Sequence, residues 1–183
     1  MDISNPYLSI EISESQFKSI KDSLRRELKR LFNEIEELSN PHISIAYVLG
    51  KRHIKDLENL AQEISEGPFE MNINGIKLVD SRFYDGTIVS LSLEHTDDFI
   101  YLQEFSKEWI VTDESVIIKE DFPGGFQAHL SLFLLKDLDL ETKEILPLYL
   151  ETALAKIKTR IFGERFTIYD DQREKLIQKD FVK

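Results

Sequence analysis

The runs His42-Ile43-Ser44-Ile45-Ala46-Tyr47-Val48-Leu49 and His129-Leu130-Ser131-Leu132-Phe133-Leu134-Leu135 decide how this chain is read. Each opens on histidine, apolar, serine, apolar, and each continues as an apolar, strand-like run. The first comes after the helix-breaking pair Asn40-Pro41 and ends at Gly50; the second comes after the loop Phe122-Pro123-Gly124-Gly125 and starts at about Gln127. Residues two apart on a strand share a face. His42 and Ser44 are therefore expected to project together while Ile43 and Ile45 enter the core. His129 and Ser131 should do the same over Leu130 and Leu132.

Working outward from the two runs, the chain alternates strands and helices. Tyr7-Leu8-Ser9-Ile10-Glu11-Ile12 has the period of a half-buried strand, and Ser13 or Ser15 is placed to cap a helix directly after it. Phe17, Ile20, Leu24, Leu28, Leu31, Ile35 and Leu38 recur at helical spacing, predicting a helix that reaches Leu38. A shorter helix carries Ile54, Leu57, Leu60, Ala61 and Ile64 and stops at Gly67-Pro68. Strands are expected from Phe69 to Val79 and from Thr87 to Leu93 around the turn Tyr84-Asp85-Gly86, then a helix from Thr96 to Ile110. After the second histidine run come a helix between about Leu140 and Ile161, its start uncertain because of Pro147, and two strands near Phe166–Tyr169 and Lys175–Phe181. The order strand, helix, histidine strand, helix, strand occurs loosely twice. It predicts an α+β domain of mostly antiparallel pairing, built from two related halves and spanning residues 1–183.

Composition narrows the chemistry. The 183 residues contain no cysteine, which excludes disulfides, zinc–thiolate sites and cysteine nucleophiles. No stretch approaches the roughly 20 apolar residues of a membrane helix. Met1-Asp2-Ile3-Ser4-Asn5-Pro6 lacks the features of a signal peptide, so a cytoplasmic protein is expected. The net charge of −11 argues against holding long nucleic acid, which calls for a basic surface. Lys18, Lys21, Arg25, Arg26, Lys29 and Arg30 are interleaved with acids and read as a solvated helix face. An anionic ligand is then expected to be small and held in a shielded pocket.

The paired runs can do phosphoryl chemistry. Cutting a phosphodiester without metal needs a base for the nucleophile, an acid for the leaving oxygen, and donors for the phosphoryl oxygens. Histidine, with an unperturbed pKa of about 6.5, serves as either base or acid near neutrality. A serine hydroxyl two residues on can donate to a non-bridging oxygen. One such motif alone is more often structural; two, 87 positions apart and in corresponding elements of each half, are harder to dismiss.

At these residues the chain resembles the two-histidine (2H) phosphoesterase superfamily, whose hallmark is a pair of His-apolar-Ser/Thr-apolar motifs. Phe126-Gln127-Ala128 is similar to the family's aromatic-x-Pro approach, with Ala128 in the place of the usual proline. The stretch from Phe69 to Leu93, with Gly75 and Asp85-Gly86, is similar to its central strand pair. Serine stands for the commoner threonine in both motifs, which keeps the hydroxyl and loses the methyl that stiffens χ1. The resemblance implies a bilobal, pseudo-twofold fold with two antiparallel sheets and flanking helices around a central cleft. It implies metal-independent catalysis by His42 and His129, with Ser44 and Ser131 holding phosphate and no cofactor. The family's substrates include RNA 2′,3′-cyclic phosphates, 2′,5′-oligoadenylates and cyclic dinucleotides of immune signalling, which some viral and phage members destroy.

Further candidates are weaker. Tyr7, Tyr47 and Phe126 are placed to contact substrate, Phe126 best, since it directly precedes the second motif. Trp109 lies on a helical apolar stripe and is assigned to the core, and Arg82, His53 and His95 to the surface. No Gly-x-Ser-x-Gly elbow, phosphate-binding Gly loop or His-Glu-x-x-His helix occurs. The rival to an enzyme is a protein that sequesters a nucleotide in the same cleft without cutting it.

Overall fold

The computed structural model describes residues 7–38, 42–48, 54–63, 69–81, 85–94, 96–97, 100, 116–118, 128–157, 160–170 and 174–181. Ser13 accepts from the Gln16 N–H and starts the first helix, α1 (Glu14–Leu31), directly after strand β1 (Tyr7–Ile12). The later elements are β2 (Glu36–Glu37), β3 (His42–Val48), α2 (Ile54–Glu63), β4 (Glu70–Asp80), β5 (Thr87–Leu93), β6 (Val116–Ile118), β7 (His129–Leu135), α3 (Leu140–Leu154), β8 (Arg160–Tyr169) and β9 (Lys175–Asp180).

The strands form one path in the order β2-β7-β5-β4-β8-β1-β3-β6, with β9 added beside β8. Every pair among the described residues is antiparallel. The path is palindromic about its centre: β4, β5, β7, β2 run outward on one side, and β8, β1, β3, β6 on the other. The histidine strands β3 and β7 occupy the third place in each half. This is the pseudo-twofold, antiparallel α+β architecture expected from the sequence, with the two expected sheets joined into one continuous path. In the sheet, the halves are joined by a short ladder, Glu70–Asn72 against Arg160–Phe162, extended by the Gly163 N–H donating to the Phe69 carbonyl (2.8 Å).

Helices cover the apolar faces. α1 buries Phe17, Ile20, Leu24 and Leu28; each such side chain is worth about 1.5–3 kcal/mol of burial. It leaves β1 for the other half and packs beside α3, where Tyr149 Oη donates to Glu27 (2.8 Å). α2 packs against β1, β3 and β8. Among the described residues no helix is long and apolar enough to cross a membrane.

Several elements differ from the sequence reading. α1 stops at Leu31, because Phe32 turns extended and the chain beyond it becomes β2 on the edge of β7. Lys21 and Arg25 hold that strand through Glu37, and the Leu38 N–H donates to the Leu132 carbonyl; Ile35 and Leu38 kept the helical period by coincidence. β6 was not expected at all. α3 begins before Pro147 and ends at Leu154, and β8 begins at Arg160. The Asp139 cap, which accepts from Thr142, and buried Leu146, Leu150 and Leu154 offset the hydrogen bond that Pro147 removes. Of the expected helix from Thr96 to Ile110, only Thr96, Asp97 and Ile100 are among the described residues.

The β4–β5 turn depends on Gly86, whose φ of +146° few side chains tolerate and whose absent Cβ would lie 2.5 Å from the Leu135 carbonyl oxygen. Gly86→Ala should therefore cost about 1–3 kcal/mol, read as a lower urea midpoint at unchanged slope. An unchanged midpoint would show that the turn has another conformation open to it.

Candidate active site

β3 and β7 are not paired with one another in the sheet, yet they approach closely across the two halves. Each of these two strands opens on a His-x-Ser motif. In β3 the motif pairs with β1, His42 opposite Glu11 and Ser44 opposite Ser9. In β7 it pairs with β5, His129 opposite Ser92 and Ser131 opposite Ser90. His42, Ser44, His129 and Ser131 are all partly buried, while Ile43, Ile45, Leu130 and Leu132 between and behind them are buried.

A β-bulge closes each motif at the same offset. Pairing passes from Ser44 to Ala46 across Ile45, and from Ser131 to Phe133 across Leu132. The extra residue bends each strand just beyond its serine, and histidine and serine share one partly buried face. Nothing in the residue pattern of either run announces the bulge.

Around His42 stands a cluster that sequence reasoning missed except for Tyr7. The Tyr7 and Tyr169 rings stack at 5.0 Å, and both lie beside the His42 ring, at 5.5 and 5.3 Å. Tyr7 and Tyr169 are buried, so they wall the imidazole more than they offer an open face. Tyr169 Oη donates to Glu11 Oε1 (2.6 Å), which also pairs with Lys175 Nζ (2.7 Å), and Gln178 Nε2 donates to Glu11 Oε2 (3.3 Å). Burial pushes the Glu11 carboxyl up, but the Lys175 and Tyr169 hydrogen bonds and the Lys175 charge outweigh it and hold it below the usual carboxylate range. Burial first, and Glu11 second, push the Tyr169 phenol far above its ordinary range, so it stays a proton donor. The alternation Tyr7, Ser9, Glu11 did put Glu11 on one face with Tyr7. Its neighbours come from 158 or more positions away and have no local signal.

The His129 side is plainer. Ala128 is buried and its carbonyl accepts from the Leu93 N–H (3.1 Å). Lys77, Ser90 and Ser131 share one rung across β4, β5 and β7, which sets an exposed cation two strands from Ser131. The Ser90 hydroxyl is buried without a hydrogen-bond partner among the described residues. Tyr47 pairs by its backbone with Tyr7, and its side chain is outside the described residues, as are Phe126, Trp109, Arg82, His53 and His95. Among the described residues no three histidine, aspartate or glutamate side chains converge to hold a metal ion.

The Glu11 cluster also bears on stability. A carboxyl depressed on folding contributes stability that is complete above its unfolded value, here 4.5, and is lost as pH falls through its folded value. Wild type should therefore lose more stability than Glu11→Gln when the pH is lowered from about 6 to 3, monitored by urea midpoints. Parallel losses would mean the Glu11 partners give its charged form no advantage.

Comparisons with known proteins agree with this geometry. The family described as LigT like Phosphoesterase matches residues 10–89, which takes in the end of β1, α1 and the His42 motif but not His129. No curated protein sequence matches the chain. Solved structures extend the likeness to the whole length. Usb1 of Kluyveromyces marxianus is 10% identical, with 97% of this chain and 98% of that one covered at a TM-score of 0.63. TT0787 of Thermus thermophilus is 12% identical, with 97% of each chain covered and a TM-score of 0.57. E.coli LigT complexed with 3′-AMP is 12% identical, with 98% of this chain and 99% of that one covered and a TM-score of 0.56. The family match thus covers residues 10–89, the solved structures share this fold over the full length, and β3 and β7 each open on a His-x-Ser motif.

Proposed function

We propose that this protein is a metal-independent phosphodiesterase of small nucleotides, such as a cyclic dinucleotide, a 2′,5′-oligoadenylate or a 2′,3′-cyclic phosphate. The observation that supports the reading is the approach of β3 and β7, each of which opens on a His-x-Ser motif. A two-histidine pair needs no metal: proton transfer by positioned imidazoles supplies both halves of the exchange.

For a cyclic phosphate, one histidine takes a proton from water as the water oxygen bonds to phosphorus. The other gives its proton to the ribose oxygen as the P–O bond breaks. For an internucleotide bond, the substrate's own 2′-hydroxyl takes the place of water and a cyclic phosphate forms. In either case one proton is accepted and one donated, so the pair ends with its protonation exchanged and bulk water resets it. Ser44 and Ser131 donate to the non-bridging oxygens, where charge grows in the transition state. Tyr7, Tyr47 and Phe126 are the proposed substrate contacts. Lys77, on the Ser131 rung, adds a cation on that side of the cleft.

Small substrates are favoured by the net charge of −11, which a long polyanion would meet with repulsion outside any pocket. Two solved relatives in fold hold nucleoside monophosphates, 3′-AMP in E.coli LigT and uridine monophosphate in Kluyveromyces marxianus Usb1. Destruction of an immune signalling nucleotide is the biological role this reading suggests, in the cytoplasm and without a cofactor.

The test is turnover of a panel in excess chelator: a nucleoside 2′,3′-cyclic phosphate, 2′,5′-oligoadenylate and several cyclic dinucleotides, resolved by chromatography. Wild type is expected to cleave at least one, with a bell-shaped pH profile. His42→Ala and His129→Ala should each lose about 10²–10⁴-fold in kcat. A 2′-deoxy analogue should resist wherever the 2′-hydroxyl is the nucleophile. Tight retention of one ligand, recovered uncut after long incubation, would replace this reading by a sequestering protein.

A further inference from the structure

The sheet is palindromic in strand order but not in what surrounds its two histidines. Opposite His42 stands Glu11; opposite His129, at the matching place, stands Ser92. The rung Tyr7–Tyr169 beside His42 matches Ile88–Val79 in the other half, which carries no aromatic or polar side chain. Among the described residues β9 has no counterpart in the other half of the path. From it come Lys175 and Gln178, both on Glu11, whose other partner is the Tyr169 hydroxyl. The chain of contact is continuous, from β9 to Glu11, from Glu11 to the Tyr169 hydroxyl, and from the Tyr169 ring to His42 at 5.3 Å.

We propose that Glu11 and Tyr169, held in place from β9 by Lys175 and Gln178, are positioning residues for His42 alone, and that β9 is an addition that makes the two histidines unequal. A buried phenol fixed at its hydroxyl cannot swing, so its ring and that of Tyr7 confine the imidazole to one orientation. The carboxylate and ammonium behind them set a fixed field at His42, whereas the residue opposite His129 is the uncharged Ser92. The groups facing His42 are Glu11 and Tyr7 from β1, Tyr169 and Arg165 from β8 and Lys175 from β9, with β7 also in contact with β3; Arg165 is itself paired with Asp180 (3.3 Å). β6, at residues Val116–Ile118, brings no charge, and α2 covers the opposite, apolar face.

This inference takes its catalytic meaning from the phosphodiesterase reading, but its first test needs no turnover. The imidazole resonances of His42 and His129 would be titrated by NMR in wild type, Glu11→Gln and Lys175→Met, with the two single His→Ala variants assigning the signals. Removing the Glu11 charge should lower the His42 pKa and removing the Lys175 charge should raise it, with His129 moving less in both. Where a substrate is known, Tyr169→Phe keeps the ring and loses the hydroxyl. It should lower kcat roughly 10-fold with KM held within about twofold, since what is lost is orientation in the transition state and not binding. Lys175→Arg should retain most of the wild-type rate. Lys175 is on the surface strand, so its variants test the idea even if Tyr169→Phe folds poorly. His42 titrating identically in all three proteins would overturn the proposal. Absence of any turnover by wild type would instead sink the phosphodiesterase reading and leave the titration to decide the positioning.

Discussion

An imidazole on a strand points wherever its register sends it, and register is what β1 and β5 impose on β3 and β7. A slip of one residue would turn His42 and Ser44 into the core and put Ile43 and Ile45 in their place. The buried rows Leu8–Ile10 and Val89–Leu91 oppose that slip, because each would lose its apolar partners on the neighbouring strand. Helices, loops and cleft all inherit this constraint. α1, α2 and α3 cover the apolar faces that the register creates, and the polar faces are left to meet one another. The bulges at Ile45 and Leu132 end each motif where its serine has done its part, so the strands can bend away beyond it without disturbing the histidine.

A two-step proton exchange needs two groups in opposite protonation states, yet a duplicated architecture supplies two similar ones. The structure breaks that symmetry with few residues. Glu11 against Ser92, Tyr169 against Val79, and the additional strand β9 change the surroundings of one histidine while the backbone path stays palindromic. The Tyr169 hydroxyl is a dependable donor in this setting, because burial and the Glu11 carboxylate both oppose its ionisation. Glu11 is correspondingly kept charged by the donors that surround it.

Much of this was legible in the sequence, for a physical reason. Strand alternation and helix period are local signals, and both histidine motifs are local, so β3, β7, the buried stripe of α1 and the α+β class with two related halves could be read directly. The features that escaped depend on partners far along the chain. β2 exists because β7 offers an edge to Glu36 and Glu37, two residues with little intrinsic preference for a strand. The helix stop at Leu31 comes from the same pairing. Tyr169, Lys175 and Gln178 meet Glu11 only once β1, β8 and β9 are in register, and α3 runs through Pro147 because its cap and its buried leucines outweigh one lost hydrogen bond.

The junction at the centre of the sheet has a mechanical meaning. Two broad half-sheets are spliced through a spine of about three rungs, Glu70–Asn72 on Arg160–Phe162, stiffened by Phe69, Phe166 and Phe181 packed edge to face. A spine that narrow acts as a torsion bar. The histidine strands lie two strands out from it on either side, roughly 10 Å away at ordinary strand spacing, so a twist of about ten degrees at the spine displaces each by about 2 Å. The spacing of the two histidine strands thus rests in part on the rigidity of a few residues at the centre of the sheet.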